Sequence, residues 1–231
     1  GERQKADNVS GLLGETGFRE YMDQQDTPLE TGYLLRIGID HFKEINDNFG
    51  QEYGDFVLKK SAECISGCIS EGQKVYKLVA DEFLILDVSS DEAKDADKLY
   101  DKVREAIDRF IETNEFKVMY TVSGGIVPFA ALKGNQYAEA LKLTDFTLNE
   151  AKKLGRNRCY IFNGETYRKF LRKREITQEL REAVINGFQG FTAFYQPVFA
   201  EDKKVPYGAE ALMRFTSEKF GMISPAEFIP I

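Results

Sequence analysis

The chain has 231 residues, 42% of them hydrophobic and 30% charged, enough to bury a sizeable core in one or two domains. A formal net charge of −7 without any basic tract excludes a protein that coats nucleic acid, yet a local Lys/Arg cluster could still hold a small anion. No apolar run approaches ~20 residues and the opening GERQKADN carries no apolar signal segment, so no membrane segment is expected and a cytoplasmic location is.

Tyr33 to Asp40, YLLRIGID, reads as a strand with an apolar bias. The polar stretch HFKEINDNFGQEYGD follows, with Asn48-Phe49-Gly50 as a turn signal. A helix is predicted from Asp55 to Ser70 on the stripe Leu58, Ala62, Ile65 and Ile69. Cys64 and Cys68 lie four apart beside that stripe, remote in sequence from the only histidine, His41. With Cys159 they read as buried small hydrophobes in a reducing compartment rather than as metal ligands.

KLVADEFLIL, Lys77 to Leu86, reads as strand, tight turn and strand. Asp81 and Glu82 sit at the reversal, and Val79-Ala80 stand where hairpin turns favour Gly or Asn. Ser89 and Glu92, three apart, predict a capping box that opens a helix carrying Ala96, Leu99, Val103, Ile107 and Phe110. Phe116 to Phe129 is a predicted strand in which Gly124-Gly125 marks a bulge or a close approach. Tyr137, Leu141, Thr144, Leu148 and Ala151 mark a helix stopped by Gly155 at C′, and Cys159 to Phe162 a short last strand. The order from Tyr33, β-α-β-β-α-β-α-β, predicts an α/β sandwich, a mixed central sheet flanked by helices with a split βαβ arrangement.

From Gly164 the character changes. Tyr167, Phe170, Leu171, Ile176, Leu180 and Val184 predict the apolar face of a long, charge-rich helix. Two apolar strands follow, Phe191 to Phe199 and Tyr207 to Arg214, separated by a turn at Glu201-Asp202-Lys203-Lys204. That is too little for an independent core, so residues 1–163 read as one domain and 164–231 as a linker helix opening a larger one.

Ile39-Asp40 and the acids Asp81-Glu82 lie at strand tips, where a ligand can be gripped. Hard cations that share phosphate oxygens need only one or two carboxylates, and a metal pair suits phosphoryl or nucleotidyl transfer. Lys43, Lys152 and Arg156 are the cations that could face phosphates. By residue type alone, the paired acids could equally be solvated, and Asn46 and Asp55 could be turn and N-cap residues. Lys152 and Arg156 could simply complement a helix C-terminus.

The motifs narrow this. DNVSGLL, IDHFKEINDNFGQEYGD, ADEF, TVSGGI and LNEAKKLGRNRCYIF, in that order between Asp7 and Phe162, resemble the GGDEF family, diguanylate cyclase domains that join two GTP into cyclic di-GMP. FYQPVF, YGAEALMRF and GMISPAEFIPI resemble the start of the EAL domain, a TIM-like barrel that hydrolyses cyclic di-GMP. The resemblance implies a nucleotide-cyclase-like fold, with guanine read by Asn46 and Asp55. It implies phosphates held by Phe42, Lys43, Lys152 and Arg156, with the backbone turn at His41 contributing. It implies Mg or Mn on Asp81 and the backbone of Ile39, with Glu82 beside them as the catalytic candidate. Glu210 matches an EAL metal ligand whose partners would lie beyond Ile231.

The departures matter as much. Gly38 stands where active cyclases have a metal-binding Asp, and Asp40, two residues on, is ~6–7 Å away along the strand. Val79-Ala80 replace the signature glycines, and Ser70-Glu71-Gly72-Gln73 cannot form the Arg-x-x-Asp product site. Gln51 stands for a family His, and Gly14-Glu15 for Asn-Arg. The expectation is a cyclic di-GMP signalling protein whose degenerate cyclase domain binds GTP as a regulatory ligand and controls an EAL phosphodiesterase in cis. The alternatives are an active cyclase working as a homodimer and a ligand-free dimerisation module.

Overall fold

Strand β1 (Tyr33–Ile39) is buried at every residue because both faces of its sheet are covered, which is why YLLRIGI is an almost unbroken apolar run. In the computed structural model, residues 6–90, 92–114, 118–201 and 204–231 are described, in two units, Gly1–Asn163 and Gly164–Ile231. The first unit holds a five-stranded sheet in the order β2-β3-β1-β4-β5. β2 (Gln73–Lys77), β3 (Glu82–Asp87) and β4 (Val122–Pro128) pair antiparallel with their neighbours, while β5 (Cys159–Ile161) joins β4 in parallel.

Side-chain alternation along β1 sorts the layers. Leu35, Ile37 and Ile39, with Phe83 and Ile85 of β3, form one core with Val57, Ile65, Leu99 and Val103 of α3 (Gln51–Cys68) and α4 (Ala93–Thr113). On the opposite face α5 (Gln136–Lys153) lies against β4 and β1. Its approach is close: a Cβ on Gly125 would stand 2.5 Å from the Leu148 amide nitrogen, and one on Gly124 would stand 2.8 Å from the Tyr100 ring. The glycine pair therefore serves close packing on both faces. The bulge alternative does not form, since the β1–β4 register runs unbroken through it.

Several boundaries differ from the sequence reading. The predicted Asp55–Ser70 helix starts at Gln51 and ends at Cys68, and a separate α2 (Phe42–Phe49) precedes it. Gly50, at φ +85°, divides the two, as the turn signal indicated. Helix α1 (Glu15–Asp23) had no counterpart. The Ser89–Glu92 capping box does not form: Ser89 Oγ donates to Asp87 (2.6 Å), and Ser90 takes the local role by donating to Asp95 (2.6 Å). Strand β4 begins at Val122, and the expected start at Phe116 lies outside the described residues. Gly155 does end α5: its N–H donates to the Lys152 carbonyl (3.3 Å) and that of Arg156 to Ala151 (3.2 Å), a Schellman closure. Cys64 and Cys68 direct their thiols at the Ala106 and Lys102 carbonyls of α4, and burial pushes both up in pKa, Cys64 to about 11.

The second unit contains α6 (Gly164–Ile185), a sheet in the order β6-β7-β8, and the short α7 (Pro225–Phe228). β6 (Phe191–Val198), β7 (Gly208–Ser217) and β8 (Gly221–Ile223) pair antiparallel. Ile176, Ala183, Phe215, Ile223 and Phe228 form a small core. Phe170 and Val184, expected on the buried face of α6, are exposed in this unit. The predicted turn at 201–204 falls partly outside the described residues, at Asp202 and Lys203. Among the described residues no helix is long and apolar enough to cross a membrane.

Candidate functional site

The β2–β3 hairpin closes tightly. Leu78 N–H donates to the Glu82 carbonyl (2.9 Å), and Glu82 N–H to that of Val79 (3.3 Å). The reversal needs a residue at positive φ, and Ala80 supplies it at +54°, a left-handed conformation that costs a Cβ-bearing residue roughly 1–2 kcal/mol. Lys77 clamps the turn from below: its buried ammonium donates to the carbonyls of Leu78 (2.6 Å) and Ala80 (2.5 Å). Burial lowers the Lys77 pKa, against the attraction of Asp7, Asp81 and Glu82.

Strand pairing then fixes what surrounds the acids. Ile39 N–H donates to the Asp81 carbonyl (3.3 Å), seating the hairpin tip on the end of β1, and Glu82 lies opposite Gly38 in the register. The Glu82 carboxylate accepts from Arg36 Nε at 2.7 Å and stands 2.5 Å from Nη2, with Lys152 Nζ at 3.8 Å from its other oxygen. Arg36 is itself buried and also donates to the Leu141 carbonyl (3.1 Å) and Thr144 Oγ1 (3.3 Å) of α5. Burial raises the Asp81 carboxyl above its ordinary pKa, only partly offset by Lys152.

A divalent metal does not fit this arrangement. Gly38 offers no side-chain oxygen, and a Cβ there would lie 3.2 Å from Leu148 Cδ2 and 3.5 Å from Lys152 Nζ. Asp40 does not substitute for it: buried at 3% exposure, it accepts from Thr121 Oγ1 (2.6 Å), Ser123 Oγ (2.6 Å) and the Asn157 amide (3.0 Å). It pins β1 to β4 and to the α5–β5 loop. Among the described residues no three or more His, Cys, Asp or Glu side chains converge as a metal site. Asp81 and Glu82 instead share their surroundings with the cations Arg36, Lys77 and Lys152. Glu210, the other metal candidate, is exposed on β7 opposite Gln196.

The guanine candidates form a second group. Asn46 is the fifth residue of α2 and Asp55 the fifth of α3, so neither is the turn or N-cap residue that their types allowed. Asn46 Oδ1 is buried with no hydrogen-bond partner. Gly54 makes its room, for a Cβ there would overlap that oxygen at 1.7 Å. A buried acceptor without a donor is uncommon; closed off here, it would have to turn outward to meet the N–H edge of a base. Asp55, the residue after Gly54, is half-buried.

Phe42 and Lys43 are the first residues of α2, whose opening amides have no partner within the helix, and His41 before them is left-handed at φ +56°. The exposed His41 ring meets Glu44 Oε1 at 3.0 Å. Lys43 and Arg156 are exposed and, among the described residues, pair with neither group, whereas Lys152 reaches from the last turn of α5 to the hairpin. Arg36 and Lys77 were missed in the sequence. Their signals were a lone arginine in an apolar strand and a lysine placed where the hairpin closes.

Residues 4–158 match the profile of the diguanylate cyclase GGDEF domain. The cyclic di-GMP phosphodiesterase NbdA of Pseudomonas aeruginosa is 28% identical over 96% of this chain and 28% of its own length. The biofilm architecture maintenance protein MbaA of Vibrio cholerae is 30% identical over 86% of this chain and 26% of its own. The chain thus spans about a quarter of the length of these curated relatives. Among solved structures, the GGDEF domain of TpbB (YfiN) from P. aeruginosa superposes with a TM-score of 0.61 at 23% identity, covering 72% of this chain and 99% of that one. The S helix–GGDEF–EAL portion of V. cholerae LapD, bound to c-di-GMP, gives 0.59 at 19% identity over 99% of this chain and 53% of that one. These two likenesses speak for the fold.

Proposed function

The chain belongs to the diguanylate cyclase GGDEF-domain family, and from that premise we propose that its first unit is a degenerate cyclase domain that binds GTP without converting it to cyclic di-GMP. In this reading it acts on an EAL phosphodiesterase domain that begins with the second unit, and Glu210 is one ligand of that domain's metal. Relatives that carry both kinds of name support the pairing, among them the bifunctional diguanylate cyclase/cyclic di-GMP phosphodiesterase MucR of P. aeruginosa.

The observation that carries the loss of catalysis is the state of Glu82, whose two oxygens face Arg36 and Lys152. A carboxylate so matched is a weak ligand for Mg or Mn, and Gly38 adds no side-chain replacement. Developing phosphoryl charge would lack the metal pair that neutralises it. The unsatisfied amide of Asn46 and the retained Asp55 support guanine binding. Nucleotide occupancy regulates the phosphodiesterase only if the domain's two states differ in affinity for it.

Calorimetric titration of GTP, followed by chromatography of the same sample for cyclic di-GMP, tests this. Binding without product is expected, and Asn46→Ala should weaken binding about 5- to 150-fold, the equivalent of one base hydrogen bond at ~1–3 kcal/mol. Because that oxygen has no partner in the protein, the variant should fold as the parent does. Cyclic di-GMP formation would overturn the inactive reading, and the absence of any binding would leave a ligand-free dimerisation module.

A further inference from the structure

Resting on the reading that the first unit binds GTP, we propose that it takes the nucleotide as the metal-free polyphosphate, with the Lys152 ammonium standing in for a divalent ion. Two carboxylates at the hairpin tip, Asp81 and Glu82, are met there by three cations, Arg36, Lys77 and Lys152. Arg36 is spent on Glu82 and on α5, and Lys77 on the turn carbonyls. Lys152 differs. Among the described residues its one ion-pair contact is the long 3.8 Å approach to Glu82, it also attracts Asp81, its side chain keeps 24% exposure, and its Nζ lies 3.5 Å from where a Cβ on Gly38 would stand.

An approaching metal ion meets repulsion from these three cations and finds one half-buried carboxylate, Asp81, that is not already paired at close range. An approaching phosphate meets a donor already positioned by the last turn of α5. The ammonium supplies three N–H donors and one positive charge, enough to hold a phosphate oxygen directly. Gly38 is therefore more than a missing ligand. A carboxylate at that position would capture Lys152 and return the tip to net attraction for cations.

The test is calorimetry of GTP into the whole chain at fixed ionic strength, once with excess EDTA and once with Mg²⁺. Affinity in EDTA at least equal to that with Mg²⁺ is expected, since the protein supplies the counter-charge itself and Mg²⁺ withdraws free GTP from solution. Lys152→Met should lose about tenfold or more in EDTA, and Lys152→Arg should bind within about threefold of the parent, a control for folding and charge. Gly38→Asp should bind more weakly in EDTA and recover with Mg²⁺. Binding seen only with Mg²⁺ overturns the inference while the GTP-binding reading stands. Binding in neither condition overturns that reading, and this inference with it. Unchanged EDTA affinity in Lys152→Met also overturns the inference.

Discussion

Replacing Arg36 with methionine removes the cation but keeps much of the apolar stem. In the parent, Arg36 and Glu82 side chains are only 8% and 15% exposed, so solvent does little to screen them. Glu82 would lose a 2.7 Å hydrogen bond and its 2.5 Å ion-pair contact, and α5 would lose a donor to the Leu141 carbonyl. Removing one partner of a buried pair costs about 3–5 kcal/mol, because the other charge stays buried without compensation. Lys152, already 3.8 Å away, can close on the orphaned carboxylate, which places the expected loss near the lower end, about 3 kcal/mol.

The chain has two units, so a single unfolding curve is a poor readout, and hydrogen exchange at the β1 and β3 amides is the better one. A loss of about 3 kcal/mol should speed exchange there by roughly two orders of magnitude, if those amides exchange by opening of the sheet. The double variant Arg36→Met/Glu82→Leu removes both charges and should recover to within about 1 kcal/mol of the parent. Exchange accelerated less than about fivefold by Arg36→Met would refute the reasoning. So would a double variant no better than the single, because the cost would then lie in packing.

Two further outcomes follow from the hairpin. Ala80→Gly removes the left-handed strain of roughly 1–2 kcal/mol but adds ~0.4–1 kcal/mol of unfolded-state entropy, so a net gain of about 0.5–1 kcal/mol is expected in thermal melts, with no recovery of cyclase activity. Asp81→Asn reads the sign of a pKa shift. Burial, the largest cause, raises the folded carboxyl above 3.8, so the folded state holds its proton longer than the unfolded state. Stability contributed by this group therefore falls as pH climbs from the unfolded value through the raised folded one and is level above that window. The variant should gain on the parent across that window and keep the gain at neutral pH. A stability difference that does not change between pH 3 and 7 would show that the carboxyl is not perturbed.

The sheet and its order of elements were legible because periodicity reports burial, and burial here follows one simple plan of helices on both faces. What escaped was short or depended on partners. Helix α1 has only nine residues, with no side-chain hydrogen bond at its N-cap, and α2 was hidden in a polar stretch whose apolar Ile45 alone is buried. The capping box failed because Asp87, at the end of β3, claims Ser89 first. A pattern three residues long cannot reveal such competition.

The candidate site divides in the same way. Motif spacing picked out Asn46, Asp55, Asp81, Glu82 and Lys152, and the fold brings Glu82 and Lys152 together at the end of β1. The charge balance that decides what they can do was not legible, because it rests on Arg36, from a strand read as apolar, and on Lys77, read only as a strand residue before the turn. Their effect is opposite to what a list of acids implies. Two adjacent carboxylates on a turn suggest a cation site, yet strand pairing sets Glu82 across from Gly38, beside Arg36 and under Lys152. Register thus sets an acidic sequence motif among cations, so that the acids of the hairpin are matched within the fold itself.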